Sequence, residues 1–303
     1  QLAGKLKTSP QNIGEELVEY LSKDDFFEKV AFAKPGFVNL YLSKKAKTDI
    51  ITNIVNKAEK FGEINIGNGA SIEIEFISAN PTGPLTFPNA RGGFTGDVLA
   101  NIYQKIGFDV TREYYVNDAG NQVYKLGKSV EVAYKRLQGQ DVPDFEDGYK
   151  GEYIQDIAKT LFKENTDLSL DQITQEALNI NIASARDTAK KMGIDFDEWF
   201  SEKSLHESGK VNEALETLKS KNKVYEKDGA VWMKTTEYGD DKDRVVVKSD
   251  GEKTYVMADI AYHMNKFVER KFDVVINIWG ADHHSDVLRL NAGIHFMGVD
   301  ESR

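Results

Sequence analysis

The chain has 303 residues and a formal net charge of −10, with 40% hydrophobic and 29% charged residues. This composition supports about two folded domains with buried cores and excludes a disordered chain. The absence of cysteine excludes disulfides and thiolate metal sites, and no apolar run approaches the ~18 residues of a membrane span, so we expect a cytoplasmic protein. The acidic balance argues against a broadly basic nucleic-acid-binding surface. A local basic concentration does occur near the N-terminus, formed by Lys5, Lys7, Lys44, Lys45 and Lys47.

The first predicted unit is a small α+β domain over residues 1–66. It combines a helix with apolar residues at helical spacing, two short strands joined by a Pro-Gly turn, and a second helix. These elements are predicted at 11–22, 26–32, 37–42 and 44–60. The stretch Gly67-Asn68-Gly69 is a plausible boundary, and a second unit is predicted over residues 67–303.

The second unit opens with the strand SIEIEFIS (71–78), in which apolar and charged residues alternate. A loop rich in Pro and Gly follows, then a helix from about 90 to 106 and a strand over 109–116. Strand, loop, helix and strand at this spacing predict a βαβ unit and a parallel sheet, whose ligands bind at the carboxyl ends of the strands. The predicted helix has one apolar face, formed by Phe94, Val98, Leu99, Ile102 and Ile106.

Residues 117–220 are predicted to be mostly helical, with strands near 223–250 and a helix over 255–270. A near-continuous apolar run at 272–279 predicts a buried strand, followed by a loop and a helix to about Met297. Strand–loop–helix therefore recurs after a long interruption. We predict an α/β fold: a Rossmann-like parallel-sheet catalytic domain, split by a mainly helical insertion at about 123–250.

Six segments of the second unit resemble one enzyme family in order and spacing. They are EFISANPTGPL (75–85), ARGGFTGDVLANI (90–102), REYYVNDAGNQ (112–122), DGAVWMKTTEYGDDKDRVVVKSDG (228–251), TYVMADIAYH (254–263) and FDVVINIWGADHH (272–284). Together they resemble the arginyl-tRNA synthetases, class I enzymes that join arginine to its tRNA. The resemblance covers roughly residues 70–300, and the N-terminal unit resembles the appended domain of the family more weakly.

The resemblance implies an arginine pocket formed by Glu75, Asn80, Tyr255, Asp259 and His283. A guanidinium presents a planar fork of donors, so its recognition requires carboxylates, and Asp259 is expected to pair with it. Tyr255 and Asp259 are four residues apart and share one helix face. An alternative interpretation of the strand is that Glu73 and Glu75 form a solvated face.

The resemblance also implies an ATP site formed by Thr86, Pro88, Asn89, Gly280 and Asp282. Class I synthetases carry His-Ile-Gly-His or a near variant after Pro-Thr-Gly-Pro-Leu, where this chain has Thr-Phe-Pro-Asn. Thr86 and Asn89 can donate hydrogen bonds to phosphate but cannot become cationic. Pro88 adds bulk, fixes φ and removes an N–H, so we expect a site that is altered, weakened or lost.

The run between the two halves is expected to line the rim of the active site, through Asn117, Asp118, Gly120 and Gln122. Alternatively, or in addition, Asn117 and Asp118 cap a helix. The second class I signature, Lys-Met-Ser-Lys-Ser, and the anticodon-binding domain are absent from the sequence, which predicts an inactive fragment of a longer enzyme. The implied partners are L-arginine, ATP with Mg²⁺, and tRNA(Arg). We expect no tightly bound cofactor, no metal site, no membrane association and a monomer.

Three other interpretations remain open at this stage. A non-catalytic paralogue would keep the pocket residues and tolerate the altered signature. A metal-dependent phosphoesterase is suggested by Asp282-His283-His284, with Asp195-Phe196-Asp197 as the loose candidate for its further aspartates. A different class I synthetase would share the nucleotide-binding fold without needing Asp259 and Glu75.

Overall fold

The computed structural model describes residues 2–300 and 302–303, without the side chains of Leu2, Asp282, His284 and Ser285. The chain divides into two compact units, residues 1–63 and residues 64–303. The first unit contains a two-stranded antiparallel sheet and three helices, and serine side chains cap two of these helices by accepting a bond from a first-turn N–H. Its elements are α1 (Leu2–Leu6), α2 (Pro10–Leu21), β1 (Phe27–Ala33), β2 (Phe37–Leu42) and α3 (Lys44–Lys57).

The second unit is built on a four-stranded parallel sheet with the strand order β5-β4-β3-β9. Helices cover both faces of this sheet, so the Rossmann-like α/β prediction is confirmed. The strands are β3 (Ser71–Glu75), β4 (Asp109–Val116), β5 (Glu198–Ser201) and β9 (Val274–Asn277). Strand β9 is half-buried because it is at the edge of this sheet, whereas the sequence predicted a buried strand.

The helices of the second unit fall into two groups. Three of them, α5 (Asn121–Leu137), α6 (Glu152–Glu164) and α7 (Leu170–Lys191), pack around their own apolar core. The others surround the sheet and a second core. They are α4 (Phe87–Lys105), α8 (Glu202–Glu207), α9 (Lys210–Ser220), α10 (Tyr255–Met264) and α11 (His284–Met297).

The insertion predicted at about 123–250 is not continuous, because it contains strand β5 of the main sheet. Strand β5 pairs in parallel with β4, and the sequence did not predict it because four residues give too short a pattern. A small antiparallel sheet follows, with the predicted Asp228-Gly229 turn between its first two strands. Its strands are β6 (Val224–Lys227), β7 (Ala230–Met233) and β8 (Arg244–Val247).

Helix α4 begins three residues earlier than predicted and buries a different face. Phe94, Val98 and Ile102 were predicted on its apolar face, but they are exposed by 52%, 55% and 51%. The buried positions are instead Gly93, Gly96 and Ala100. A Cβ on Gly96 would lie 2.2 Å from the ring of Phe76, so small residues allow the helix to contact the sheet through its backbone.

Candidate functional site: a carboxylate-lined cleft at the ends of the parallel strands

A cleft of about 1040 Å³ opens in the second unit where β3, β4 and β9 end. The first turns of α4 and α10 and the loop after β9 form its other walls. Parallel sheets bind their ligands here, at the carboxyl ends of the strands. Nine of the fourteen predicted site residues line it: Glu75, Asn80, Pro88, Asn89, Asn117, Tyr255, Asp259, Gly280 and His283.

Asp259 and Tyr255 lie on the cleft face of α10, as their four-residue spacing predicted. The Tyr255 hydroxyl donates to Asp286 Oδ1 at 3.1 Å and accepts from Arg289 at 2.9 Å. Asp286 also takes a bond from Arg289 at 2.7 Å and lies 3.3 Å from His283 Nδ1. Asp286 therefore links one wall of the cleft to the other, a role that the sequence gave no signal for.

The Asp259 carboxyl is an unusual acid because no cation pairs with it among the described residues. Burial raises its pKa to about 8, and the nearby carboxylates of Glu75, Glu202 and Asp286 act in the same direction. Lys266 lowers the pKa of Asp259 by a smaller amount. The cleft therefore has negative potential around an acid that lacks a counter-ion, which is an environment that favours a cationic ligand.

Glu73 and Glu75 do not form a solvated face, so the alternative interpretation of strand β3 is wrong. They are 0% and 5% exposed, because helices cover both faces of a parallel sheet. Above them lies Lys266, which is itself fully buried. Its Nζ donates to Glu75 Oε2 at 2.8 Å and lies 3.1 Å from Glu73 Oε2. Alternation of polar and apolar residues predicted the strand correctly but could not show what covers its second face.

A second, half-buried cation lies one helical turn beyond Lys266. Arg270 donates to both carboxylate oxygens of Glu113, and the Tyr262 hydroxyl also donates to Glu113. Glu113 is directly beside Glu75 in the register of β4 and β3. The sheet therefore carries two adjacent buried acids, each with its own cation from the segment that follows α10.

His263 is buried behind the cleft and is neutral. Asn277 accepts from Lys266 through Oδ1 at 3.0 Å, so its amide nitrogen is directed at His263 Nε2, 2.8 Å away. His263 Nδ1 must then carry the hydrogen, because it lies 2.8 Å from the carbonyl oxygen of Asp259. Burial lowers the pKa of His263 to about 3, in agreement with this arrangement.

The loop after β3 is held by hydrogen bonds from several elements. Tyr114 donates to the carbonyl of Ala79 at 2.9 Å, and the backbone N–H of Tyr115 donates to Ser78 Oγ at 3.1 Å. Asn181 and Tyr153 of the helical bundle each donate to a carbonyl further along this loop at 2.9 Å. The loop therefore presents the exposed Asn80 side chain to the cleft from a fixed backbone.

The segment Thr86–Asn89 is the N-terminal cap of α4. The backbone N–H and the hydroxyl of Thr86 both donate to Asn89 Oδ1, at 2.8 and 2.7 Å. Thr86 is thus engaged in the cap and does not line the cleft, whereas Asn89 and Pro88 do. Pro88 lies in the first turn, where its φ suits a helix and a missing N–H costs the helix nothing.

Of the four predicted rim residues, one lines the cleft and three do not. Asn117 lines the cleft, and Gln122 donates to its carbonyl at 3.2 Å. Asp118 accepts from the Ser201 hydroxyl and the Lys203 backbone N–H, so it caps α8 and not the helix that follows it in sequence. Gly120 precedes α5 with a φ of 82°. The prediction for the Asp282 side chain falls outside the described residues.

The strand directions argue against the metal-dependent phosphoesterase. Asp195 and Asp197 come just before β5, and residues 282–284 come after β9. All four strands of this sheet are parallel, so the first group lies at the amino ends of the strands and the second group at the carboxyl ends. Residues at opposite ends of the strands cannot bind one metal ion together.

Within the described part of the chain, no helix is both long and apolar enough to cross a membrane.

The comparison with protein families identifies first the class and then the family. Residues 50–300 match the model for tRNA synthetases class I (R), catalytic domain, so the second unit has the fold of a class I synthetase. Residues 1–42 match the arginyl tRNA synthetase N-terminal domain. The chain belongs to the arginyl-tRNA synthetase family.

Relatives and solved structures agree with this family. The chain is 45% identical over 311 aligned positions to an arginine--tRNA ligase of Anoxybacillus flavithermus, and 44% identical over 310 to one of Bacillus subtilis. Each alignment covers 99% of this chain and 55% or 56% of the relative, so the chain spans about half the length of these curated relatives. A Campylobacter jejuni structure described as an arginyl tRNA synthetase is 35% identical, with a TM-score of 0.78 over 86% of this chain and 59% of that one. Thermus thermophilus arginyl-tRNA synthetase, at 19% identity and a TM-score of 0.69 over 98% of this chain and 56% of that one, shares the fold.

Proposed function

We propose that this chain provides the arginine- and ATP-binding part of an arginine--tRNA ligase. In the intact enzyme, ATP would activate the carboxylate of L-arginine to arginyl-adenylate, which then passes the arginyl group to the 3′ end of tRNA(Arg). The observation that carries this proposal is Asp259, which pairs with no cation of the described residues and lies in a cleft of negative potential. A guanidinium supplies the missing charge and fits a carboxylate with two parallel hydrogen bonds.

The roles proposed for individual residues follow from their positions in the cleft. Asp259 and Tyr255 hold the guanidinium, while Glu75, Asn80 and His283 hold the rest of the amino acid. Asn89, Pro88 and Gly280 border the ATP subsite, where the amide nitrogen of Asn89 is free of the cap and can donate to a phosphate oxygen. The remaining ATP and rim roles are proposed for Thr86, Asp282, Asp118, Gly120 and Gln122, of which Thr86 and Asp118 support the site through the helix caps they form.

The other partners belong to the same proposal. ATP binds with Mg²⁺ on its phosphates as a substrate, and the protein acts as a monomer in the cytoplasm. Lys44, Lys45 and Lys47 are exposed at the start of α3, and we propose that this basic face of the first unit contacts the tRNA backbone. Because the chain spans about half of its relatives, aminoacylation is proposed for the longer enzyme and not for residues 1–303 alone.

Calorimetry with L-arginine tests the proposal, with citrulline and L-lysine as comparison ligands. We expect saturable binding of L-arginine and no binding of citrulline, which is isosteric but uncharged. Asp259→Asn should weaken arginine binding by at least about 30-fold, because it leaves the guanidinium without its counter-ion. The matched control is Asp187→Asn, which changes an exposed carboxylate on α7. Equal affinity for arginine and citrulline, or an unaffected Asp259→Asn variant, would contradict the proposal.

A further inference from the structure

Lys266 contacts three polar side chains while being closed off from solvent. Its Nζ donates to Glu75 and Asn277, lies 3.1 Å from Glu73, and stands 4.1 Å from the centre of the Tyr262 ring. Lys266 does not line the cleft, but Glu75 and Tyr262 do. A fully buried lysine is rare unless it is paired, so its position requires an explanation.

Lys266 contacts both acids of β3 but donates its hydrogen bond to Glu75. Its Nζ donates to Glu75 Oε2 at 2.8 Å and lies 3.1 Å from Glu73 Oε2. Burial raises the pKa of Glu73 to about 8, against the opposing effect of Lys266. Glu75 lines the cleft and Glu73 does not, so the hydrogen bond to Glu75 is the contact through which Lys266 reaches the cleft.

Glu75 lines the cleft, and Lys266 engages only one of its carboxylate oxygens. Oε2 accepts from Lys266, and across the described residues Oε1 has no hydrogen-bond partner within the protein. A carboxylate held by one oxygen and open at the other can accept a hydrogen bond from a cationic ligand in a fixed geometry. Lys266 thus determines where this acceptor lies.

The same lysine is connected to the second acid of the pocket. Lys266 donates to Asn277, which donates to His263, which in turn donates to the backbone carbonyl of Asp259. Each link is 2.8–3.0 Å long. The chain of bonds fixes the last turn of α10 against β9 and holds Glu75 and Asp259 relative to each other.

We infer that Lys266 is a positioning residue for arginine binding: its hydrogen bond holds the Glu75 carboxylate at the cleft, and through Asn277 and His263 it fixes the end of α10, the helix that carries Asp259. This inference rests on the proposed function. Without Lys266, the Glu75 carboxylate would lose the donor that fixes its Oε2. The charged or titratable groups around Glu75 and Lys266 are Glu73, Glu113, Tyr115, Asp259, Tyr262, His263 and Arg270.

The test uses two double variants of the full chain, each of which removes a buried acid together with the cation beside it. Glu73→Gln with Lys266→Met removes the ammonium group that donates to Glu75. The matched control, Glu113→Gln with Arg270→Met, removes the neighbouring ion pair, whose side chains share no hydrogen bond with the Glu75 side chain among the described residues. Thermal unfolding establishes that both variants are folded, and the single variant Lys266→Arg restores a cation at the same place.

We expect the Lys266 double variant to bind L-arginine about 10- to 100-fold more weakly at pH 7. The control should bind within about threefold of wild type, and Lys266→Arg should recover part of the lost affinity. A loss of affinity that is equal in both double variants would mean that Lys266 is only structural, and would overturn the inference.

A second measurement does not require arginine. Carboxyl ¹³C NMR of glutamate-labelled protein, with Glu75→Gln to assign the signal, reports the surroundings of the Glu75 carboxyl group. Its chemical shift at pH 7 should change more in the Lys266 double variant than in the control, because that variant removes the donor to Glu75 Oε2. A Glu75 signal that moves no more than in the control would overturn the inference. Failure of the wild type to bind arginine, with Glu75 responding as described, would instead count against the proposed function alone.

Discussion

At the scale of single residues, two acids in or beneath the cleft have pKa values far above those of exposed carboxyl groups. Burial raises the pKa values of both Asp259 and Glu73 to about 8, but their surroundings differ. Glu73 is enclosed beneath Lys266, whereas Asp259 lines the cleft and can meet a ligand. A ligand cation can therefore displace the proton of Asp259 and take its place.

This displacement predicts that the proposed binding of arginine depends on pH. Free Asp259 is mostly protonated at pH 6 to 7, and the bound guanidinium needs it ionised, so binding should release up to one proton. The affinity should rise by as much as about tenfold per pH unit up to pH 8 and then level off. Calorimetry in two buffers of different ionisation enthalpy measures the proton release directly. A flat affinity between pH 6 and 8, with no proton exchanged, would show that Asp259 is already charged in the free protein.

Two variants separate Asp259 from other groups that titrate in this range. Glu73→Gln should keep the proton release, and Asp259→Asn should abolish it. The folded protein holds the Asp259 proton up to about pH 8, while the unfolded chain loses it near pH 4, so this group destabilises the fold as pH rises between those values. The stability that Asp259→Asn gains over wild type should therefore grow between pH 5 and pH 8 by up to about 4 kcal/mol, because each pH unit corresponds to about 1.4 kcal/mol; thermal unfolding at the two pH values measures it.

At the scale of elements, helix α4 lies against the sheet through its glycines. Phe76, which follows β3, fills the space that a side chain on Gly96 would need. The large apolar residues of α4, Phe94, Val98 and Ile102, are left on its outer side. This close approach fixes where the helix begins, and hence where Pro88 and Asn89 meet the cleft.

Two glycines of α4 offer a matched pair of substitutions. Gly96→Ala places a Cβ 2.2 Å from the Phe76 ring and should lower the free energy of unfolding by about 2 kcal/mol. Gly92→Ala meets no atom within 4 Å and should raise it by about 0.5–1 kcal/mol, because alanine favours a helix. Urea unfolding of both variants measures the difference. Similar effects from the two substitutions would show that α4 does not contact Phe76 so closely.

At the scale of the whole molecule, the cleft belongs to one compact unit. Every residue that lines it lies between positions 64 and 303. The first unit has its own sheet and helices and matches a separate family model over residues 1–42. Recognition of arginine and the proposed contact with tRNA therefore involve different parts of the chain.

Residues 64–303 produced alone should bind L-arginine within about threefold of the affinity of the full chain, since each acid and cation of the cleft is retained. The same piece should bind tRNA more weakly and with a shallower dependence on salt, because the lysines of the first unit are gone. Calorimetry and filter binding measure the two affinities. Loss of arginine binding by a folded 64–303 piece would mean that the first unit contributes to the pocket.

Sequence patterns were sufficient to predict most of the secondary structure, the end of the sheet that binds ligands, and the family. Periodicity placed most helices and strands within a few residues, because amphipathic patterns depend on neighbours along the chain. The βαβ unit predicted the edge of the sheet at which the cleft is found, and the motifs around residues 75–122 and 254–284 indicated the family. Asp259 and Tyr255 were placed on one face by their spacing alone.

Tertiary contacts, in contrast, set which faces of strand β3 and helix α4 are buried and which charged side chains contact each other. Glu73 and Glu75 fit a solvated strand in sequence, and they are buried because Lys266, about 190 positions later, covers them. Asp118 caps a helix more than 80 residues away, and α4 buries glycines in place of its large apolar residues. Burial and ion pairing depend on contacts between distant segments. Local patterns carry no information about such contacts. The acids Glu75 and Asp259 could therefore be predicted from sequence, whereas Lys266, the cation beside Glu75, could not.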